Sequence, residues 1–128
     1  MKSLTRYIQE KLVIKKGNSL FYYKYFPKTK EELKDLIKQR IKTEGKEVDL
    51  NDIDTSNITD MSSLFVGTNF KGDISNWDVS NVTNMNSMFT LCKSFNQDIS
   101  SWDVYNVTDA MGIFKDCPIE EKYKPKFK

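Results

Sequence analysis

The 128-residue chain has no histidine, only two cysteines, three prolines and five glycines. Without histidine, the commonest general base at neutral pH is missing. The chain also lacks a phosphate-binding glycine loop, a nucleophile elbow and zinc-ligand spacing. No apolar run approaches the roughly 18 residues of a membrane helix, and the first residues lack the apolar core and cleavage site of a secretory signal. We therefore expect a cytoplasmic protein that is not an enzyme, has no membrane segment and needs no cofactor or metal.

The charged residues are unevenly distributed, although the net charge is only +2. Residues 1–49 contain 13 basic and 7 acidic side chains, whereas residues 50–116 contain 3 basic and 9 acidic ones. Residues 117–128 are again basic, with 4 against 2. Such asymmetry favours electrostatic attraction toward a charged macromolecule.

One motif occurs three times in the acidic part of the chain. The sequence WDVSNVTNM, which begins at Trp77, returns as WDVYNVTDA at Trp102 and more loosely as IDTSNITDM at Ile53. The three copies therefore follow one another at a nearly constant period, and a period of this length indicates units that stack because none can bury its apolar face alone. Each unit is expected to hold a short inward-facing strand, a bend and one or two turns of helix.

The methionines that follow each motif are expected to face the core from these short helices. The spacing that suggests this is Met61-x-x-Leu64-Phe65, Met85-x-x-Met88-Phe89 and Met111-x-x-Phe114. The predicted fold class is therefore α/β, a short leucine-rich-repeat-like solenoid of three coils over residues 50–117. Residues 118–128 are expected to form a basic tail.

The N-terminal part of the chain, residues 1–49, predicts a basic cap with a helix–strand–helix order. Residues 4–14 have apolar side chains at helical spacing, and the aromatic run at residues 20–26 is typical of a strand. Thr29 and Glu32 form a capping box at the start of a second helix, which Gly45 is expected to end.

The repeat unit, W-D-V-S-N-V-T-N-M-x-x-M-F with F-N-x-D-I-S between copies, resembles the BspA-like leucine-rich repeat family. That family includes a Mycoplasma-type domain of unknown function, and the resemblance covers residues 48–117. It implies a protein-binding role, since members are often bacterial surface proteins that bind other proteins. A short member without a signal resembles instead a small intracellular inhibitor or adaptor. Small inhibitors of this kind are encoded by phages or other mobile elements and act on host machinery such as a CRISPR nuclease. A fragment of a surface adhesin is the alternative.

Five side chains are the candidates for protein binding. Asp54, Asp78 and Asp103 recur between inward-facing positions, so we expect an outward acidic row. The row has two readings, hydrogen bonding to the protein's own backbone and contact with a basic partner. Ser80 lies beside the row, and Tyr105 replaces a serine there, either as an interface anchor or as a cover for the end of the repeats.

The basic cap supports an alternative partner, which is nucleic acid, alone or within a nucleoprotein complex. Cations interleaved with aromatic residues are typical of proteins that bind single strands, because bases stack on rings while phosphates meet lysines. An amphipathic cap with a solvated basic face explains the same pattern. The candidate residues are Arg6, Lys15, Lys16, Lys24, Lys34, Lys38 and Arg40.

The two cysteines, Cys92 and Cys117, are one period apart. Adjacent units could bring them close enough for a disulfide. Free thiols at equivalent core positions are favoured, because a cytoplasm keeps cysteines reduced.

Overall fold

A computed structural model of the chain describes the backbone of residues 12–14 and 20–127 and the side chains of residues 23–127. Strand β1 pairs with strand β2 in antiparallel register, with Val13 opposite Phe21. The regular elements of the described residues are β1 (Leu12–Ile14), β2 (Leu20–Tyr22), helix α1 (Lys30–Glu44) and a 3₁₀ turn (Glu121–Tyr123).

The predicted helix–strand–helix cap is wrong. Residues 12–14, predicted as the end of the first helix, form β1, and the rest of that prediction lies outside the described residues. The predicted strand over residues 20–26 is regular only as far as Tyr22. Beyond it, Tyr25 forms one isolated parallel bridge with Ile53, so this stretch joins the cap to the first repeat unit.

Helix α1 begins and ends as its sequence predicts. The Thr29 hydroxyl accepts a hydrogen bond from the Glu32 amide at 3.1 Å, which is the N-cap half of the capping box. The Glu32 carboxylate also reaches back, but it accepts from the Lys28 amide at 2.9 Å, one residue before the N-cap. At the other end, Gly45 has φ 96°, a value that glycine adopts at little cost. Leu33 and Ile37 are buried and anchor the helix in the common core.

The predicted α/β solenoid is also wrong. The repeat region consists of turns and isolated bridges, and among the described residues neither a strand nor an α-helix occurs between residues 50 and 117. We divide it into unit 1 (residues 50–73), unit 2 (residues 74–98) and unit 3 (residues 99–123). The last range includes the start of the predicted tail, because Ile119 is buried and the Tyr123 carbonyl accepts a hydrogen bond from the Ile99 amide at 3.0 Å.

Left-handed backbone positions explain why the expected short helices are absent. Two positions in each unit have φ between 57° and 71°, a range incompatible with an α-helix or a strand. These residues are Ser63, Ser87 and Gly112 at the first position and Gly67, Leu91 and Asp116 at the second. The backbone around them closes tight turns instead, such as the one in which the Leu64 amide donates to the Met61 carbonyl at 3.3 Å.

Main-chain hydrogen bonds join the units in parallel, one above the next. Single bridges pair Asp60 with Asn84 and Asn84 with Asp109. Around them, alternate amides of one unit donate to carbonyls of the next. In the first interface the amides of Met61, Ser63, Phe65 and Gly67 donate to the carbonyls of Asn84, Asn86, Met88 and Thr90 at 2.9–3.0 Å. In the second, those of Met85, Ser87, Phe89 and Leu91 donate to Asp109, Met111, Ile113 and Lys115 at 2.8–3.0 Å.

Equivalent aromatic side chains stack in columns through the core. Phe89 lies between Phe65 and Phe114, with ring centroids 5.3 and 5.7 Å away. Trp77 and Trp102 form a second column. Because each ring packs on its counterpart one period away, the repeated sequence produces a repeated core.

Candidate protein-binding face

The acidic row, defined as Asp54, Asp78 and Asp103, occupies one position in each of the three units. Each Oδ1 accepts a hydrogen bond from the amide two residues ahead, at 3.0, 3.0 and 3.1 Å. In the first two units the hydroxyl of Ser56 or Ser80 also donates to that oxygen at 2.6 Å. The carboxylates therefore fix their own turns, and their positions are rigid.

Solvent reaches the acidic row despite these internal bonds. Asp78 and Asp103 are exposed and Asp54 is half-buried. No ion pair within the described part of the chain involves any of the three. Burial, followed by the charges of Asp54 and Asp78, raises the pKa of Tyr23.

A cleft of about 310 Å³ lies beside the row. Asp78 and Asp103 line it together with Tyr23, Trp77 and Trp102. Carboxylates next to aromatic walls suit a cationic group, which gains both charge pairing and cation–π attraction. The tryptophans are not among the five candidates that the sequence suggested. The available signal for them is that Trp directly precedes Asp in units 2 and 3, where unit 1 has Ile53.

The two remaining candidates differ in exposure. Ser80 is half-buried and its hydroxyl is bonded to Asp78, whereas Tyr105 is 68% exposed. Of the five candidates, the structure places Asp78 and Asp103 in one cleft, while Asp54, Ser80 and Tyr105 lie outside the lining.

Comparison with known proteins adds a family. A sequence model described as "Mycoplasma protein of unknown function, DUF285" matches residues 31–122. The chain belongs to this family. The DUF285 match includes all but the first residue of helix α1 and continues to residue 122 in unit 3, so it extends beyond the three repeated motifs. Searches of the curated proteins and of the solved structures found no match.

Met111 is a correction to the expected core of this DUF285 chain. It is 78% exposed, and the half-buried Ala110 occupies the place of the buried Met61 and Met85. The repeat period indicates this register, whereas helical spacing to Phe114 suggested the other. Without a helix, that second argument does not apply.

The residues proposed to contact nucleic acid lie in different environments. Arg6, Lys15 and Lys16 are outside the described residues. Lys24 and Lys38 are exposed and Lys34 is half-buried.

Arg40, the last candidate, is 7% exposed and is used within the fold. It donates to Asp52 at 3.0 and 3.3 Å, pairs with Glu44 and lies 4.9 Å from the ring centre of Tyr25. Although burial disfavours its charge, hydrogen bonds to Glu44 and Asp52 raise the pKa of Arg40 further. This side chain joins helix α1 to unit 1, and its guanidinium is not presented to a phosphate.

The remaining polar chemistry of this family member is limited. Both cysteines are free, and burial, with a smaller effect of Cys117, raises the pKa of Cys92 to about 11. Within residues 23–127 no three acidic or cysteine side chains form a cluster that could hold a metal ion. No helix in the described ranges is both long and apolar enough to span a bilayer.

Proposed function

We propose that the chain is a non-catalytic protein-binding module whose acidic row receives a basic segment of a partner protein. The observation that supports this most is the cleft in which Asp78 and Asp103 lie beside Tyr23, Trp77 and Trp102. Its volume of about 310 Å³ is at the lower end of the range of small-ligand pockets and leaves room for a lysine or arginine side chain.

The hydrogen bonds of the row make it a prepared acceptor. Because Oδ1 of Asp78 is held by the Ser80 amide and hydroxyl, little side-chain freedom is left to lose when a cation binds. Repulsion between adjacent carboxylates is relieved at the same time. Affinity for such a partner should fall with added salt, because the charges are exposed.

The sequence of the repeat unit supports the same class of function, since the BspA-like family it resembles binds proteins. Within this proposal the chain works in the cytoplasm as an inhibitor or adaptor. The proposal includes an origin in a phage or mobile element, in which case the target is a component of the host machinery such as a CRISPR nuclease.

Affinity capture from host lysate, with and without nuclease, tests the proposal. A stoichiometric protein that remains after nuclease treatment is the expected result. Recovery of nuclease-sensitive material alone would contradict it and would assign the function to the basic cap.

Two double variants then locate the contact. D78N/D103N removes two charges from the cleft, in units 2 and 3. D73N/D98N removes two charges from equivalent positions at the ends of units 1 and 2, outside the lining of the cleft. Asn can keep the turns in both, since Asp73 and Asp98 also accept from amides two residues ahead, at 2.8 and 3.0 Å. Only D78N/D103N should release the captured protein.

A further inference from the structure

Unit 3 ends the stack with main-chain groups that have no next unit to bond. The donors that bridge the unit interfaces recur here as the amides of Ala110, Gly112, Phe114 and Asp116, and within the described part of the chain none of the four donates a hydrogen bond. Thr108 adds an acceptor, since its carbonyl is equivalent to those of Thr59 and Thr83, which accept from the next unit at 2.8 and 2.9 Å. We call these five residues, 108, 110, 112, 114 and 116, the open edge.

Met111 lies at a repeat position from which the side chain of unit 2 contacts the following unit. Its counterpart in unit 2, Asn86, reaches the following unit and accepts a hydrogen bond from the Met111 amide at 2.7 Å. Met111 occupies the same position in unit 3 and is 78% exposed. An apolar side chain exposed to this degree, at a position from which Asn86 contacts the following unit, is a candidate contact residue.

We propose that the open edge binds an extended segment of another protein, which runs parallel to residues 108–116 and supplies main-chain carbonyls to the four amides. An apolar side chain of that segment covers Met111. The argument rests on continuity, because the same donors, at the same spacing, already bind such carbonyls twice within the molecule. Addition of a segment to an unpaired backbone edge is a recurrent mode of peptide recognition.

A second copy of this chain fits the open edge poorly. The complementary carbonyls would have to come from the opposite face of unit 1, and helix α1 lies against that unit. Lys30 bonds Ser62 at 3.0 Å and pairs with Asp60 at 3.5 Å, and Arg40 holds Asp52. Two open edges facing each other would oppose donors to donors. A different protein with an accessible extended segment satisfies both conditions.

Lys124 covers the ring of Phe114, but none of residues 124–127 accepts a hydrogen bond from the amides of the open edge. The Lys124 ammonium lies 5.4 Å from the ring centre of Phe114, and Pro125 is buried. The aromatic column is therefore closed while the backbone beside it stays available.

The test uses ¹⁵N-labelled full-length chain and a synthetic peptide with the sequence of residues 106–116, which covers the equivalent edge of unit 2 inside the molecule. In the free protein, the four amides should exchange with solvent faster than Met85, Ser87, Phe89 and Leu91. Adding the peptide should shift the four resonances saturably and slow their exchange. A peptide of the same composition in scrambled order should do neither.

Variants on two surfaces separate this inference from the acidic row. M111E should weaken peptide binding on the order of tenfold by removing an apolar contact, whereas V66E, at a 40% exposed position of unit 1, should not. D78N/D103N should leave peptide binding unchanged. A negative result for partner binding at the acidic row is therefore distinguishable from a negative result for peptide binding at the open edge. The inference is overturned by unshifted edge amides, by equal effects of the scrambled peptide, or by a concentration-dependent dimer that protects the same amides.

Discussion

The indole of Trp102 lies parallel to that of Trp77, with an interplanar angle of 3° and 6.5 Å between ring centroids. Each indole also donates a hydrogen bond to the preceding unit. Trp102 Nε1 donates to the Ile74 carbonyl at 3.1 Å, and Trp77 Nε1 donates to the Leu50 carbonyl at 2.9 Å. One side chain type therefore supplies both the stacking and the polar link between units.

Replacement of Trp102 with Phe should lower the free energy of unfolding by about 2 kcal/mol, since it removes the bond to Ile74 and leaves a void. Urea unfolding followed by circular dichroism measures this. Unchanged stability would show that the indole bond does not hold the units together.

The asparagine at the bend should matter only where it bonds a preceding unit. Asn81 and Asn106 donate to the carbonyls of Ser56 and Ser80 at 2.8 and 2.7 Å, and N81A or N106A should each cost about 1 kcal/mol. Asn57 of unit 1 lies before the first unit interface, so N57A should cost under about 0.5 kcal/mol. Equal losses of stability at all three positions in thermal unfolding would show that the bonds from Asn81 and Asn106 to the preceding unit do not stabilise the fold.

At the left-handed positions, adding and removing a side chain should change the free energy of unfolding in opposite directions. Gly67 has φ 71° and open space where a Cβ would lie, so G67A should destabilise by about 1 kcal/mol through backbone strain alone. Leu91 carries a side chain at the equivalent position with φ 61°, and L91G should therefore stabilise by up to about 1 kcal/mol. Matching signs for both variants in chemical unfolding would show that strain is not the deciding effect.

Acid should weaken the contact between helix α1 and unit 1. Burial tends to raise the pKa of Asp60, but hydrogen bonds from Ser62 and the charge of Lys30 outweigh it and hold that pKa below its ordinary value. The stabilisation is then complete above the unfolded pKa of about 4 and is lost as pH falls through the lower folded value.

D60N provides the comparison for this pH effect. Unit 2 has Asn84 at the same position, and its Oδ1 accepts from the Asn86 amide at 2.9 Å, so the turn survives and only the charge is lost. Unfolding midpoints of the native chain and D60N should differ at pH 7, and the difference should shrink progressively as the pH falls below about 4. A constant difference would contradict the assignment.

The sequence predicted the parts of the fold that depend on residue type at a fixed spacing. The period predicted units that stack on one another, and Thr29 with Glu32 predicted the start of α1. The aspartates of the acidic row make hydrogen bonds to the protein's own backbone, which was one of the two interpretations of the row. The local conformation of the units could not be predicted in the same way. Ser63 and Leu91 are residues with no preference for positive φ, so only tertiary packing sets the turns that replaced the expected strands and helices.

The residues of the candidate site could be identified from the sequence only in part, and their role in binding stays a prediction. Alternation identified Asp78 and Asp103, but their cleft depends on Tyr23, which lies far from Trp77 along the chain and in no repeated pattern, and on the approach of the cap to the units. The burial of Arg40 was not predicted from the sequence, because a cationic side chain on a helix is usually exposed to solvent. Its i,i+4 spacing to Glu44 was the available signal.

Affinity of the captured partner for two charge variants is the measurement that tests the acidic row most directly. Calorimetry at low and physiological salt should show D78N/D103N about tenfold weaker than the native chain, with a reduced salt dependence, while D73N/D98N binds like the native chain. Equal affinities for both variants would contradict the assignment of the acidic row as the binding face.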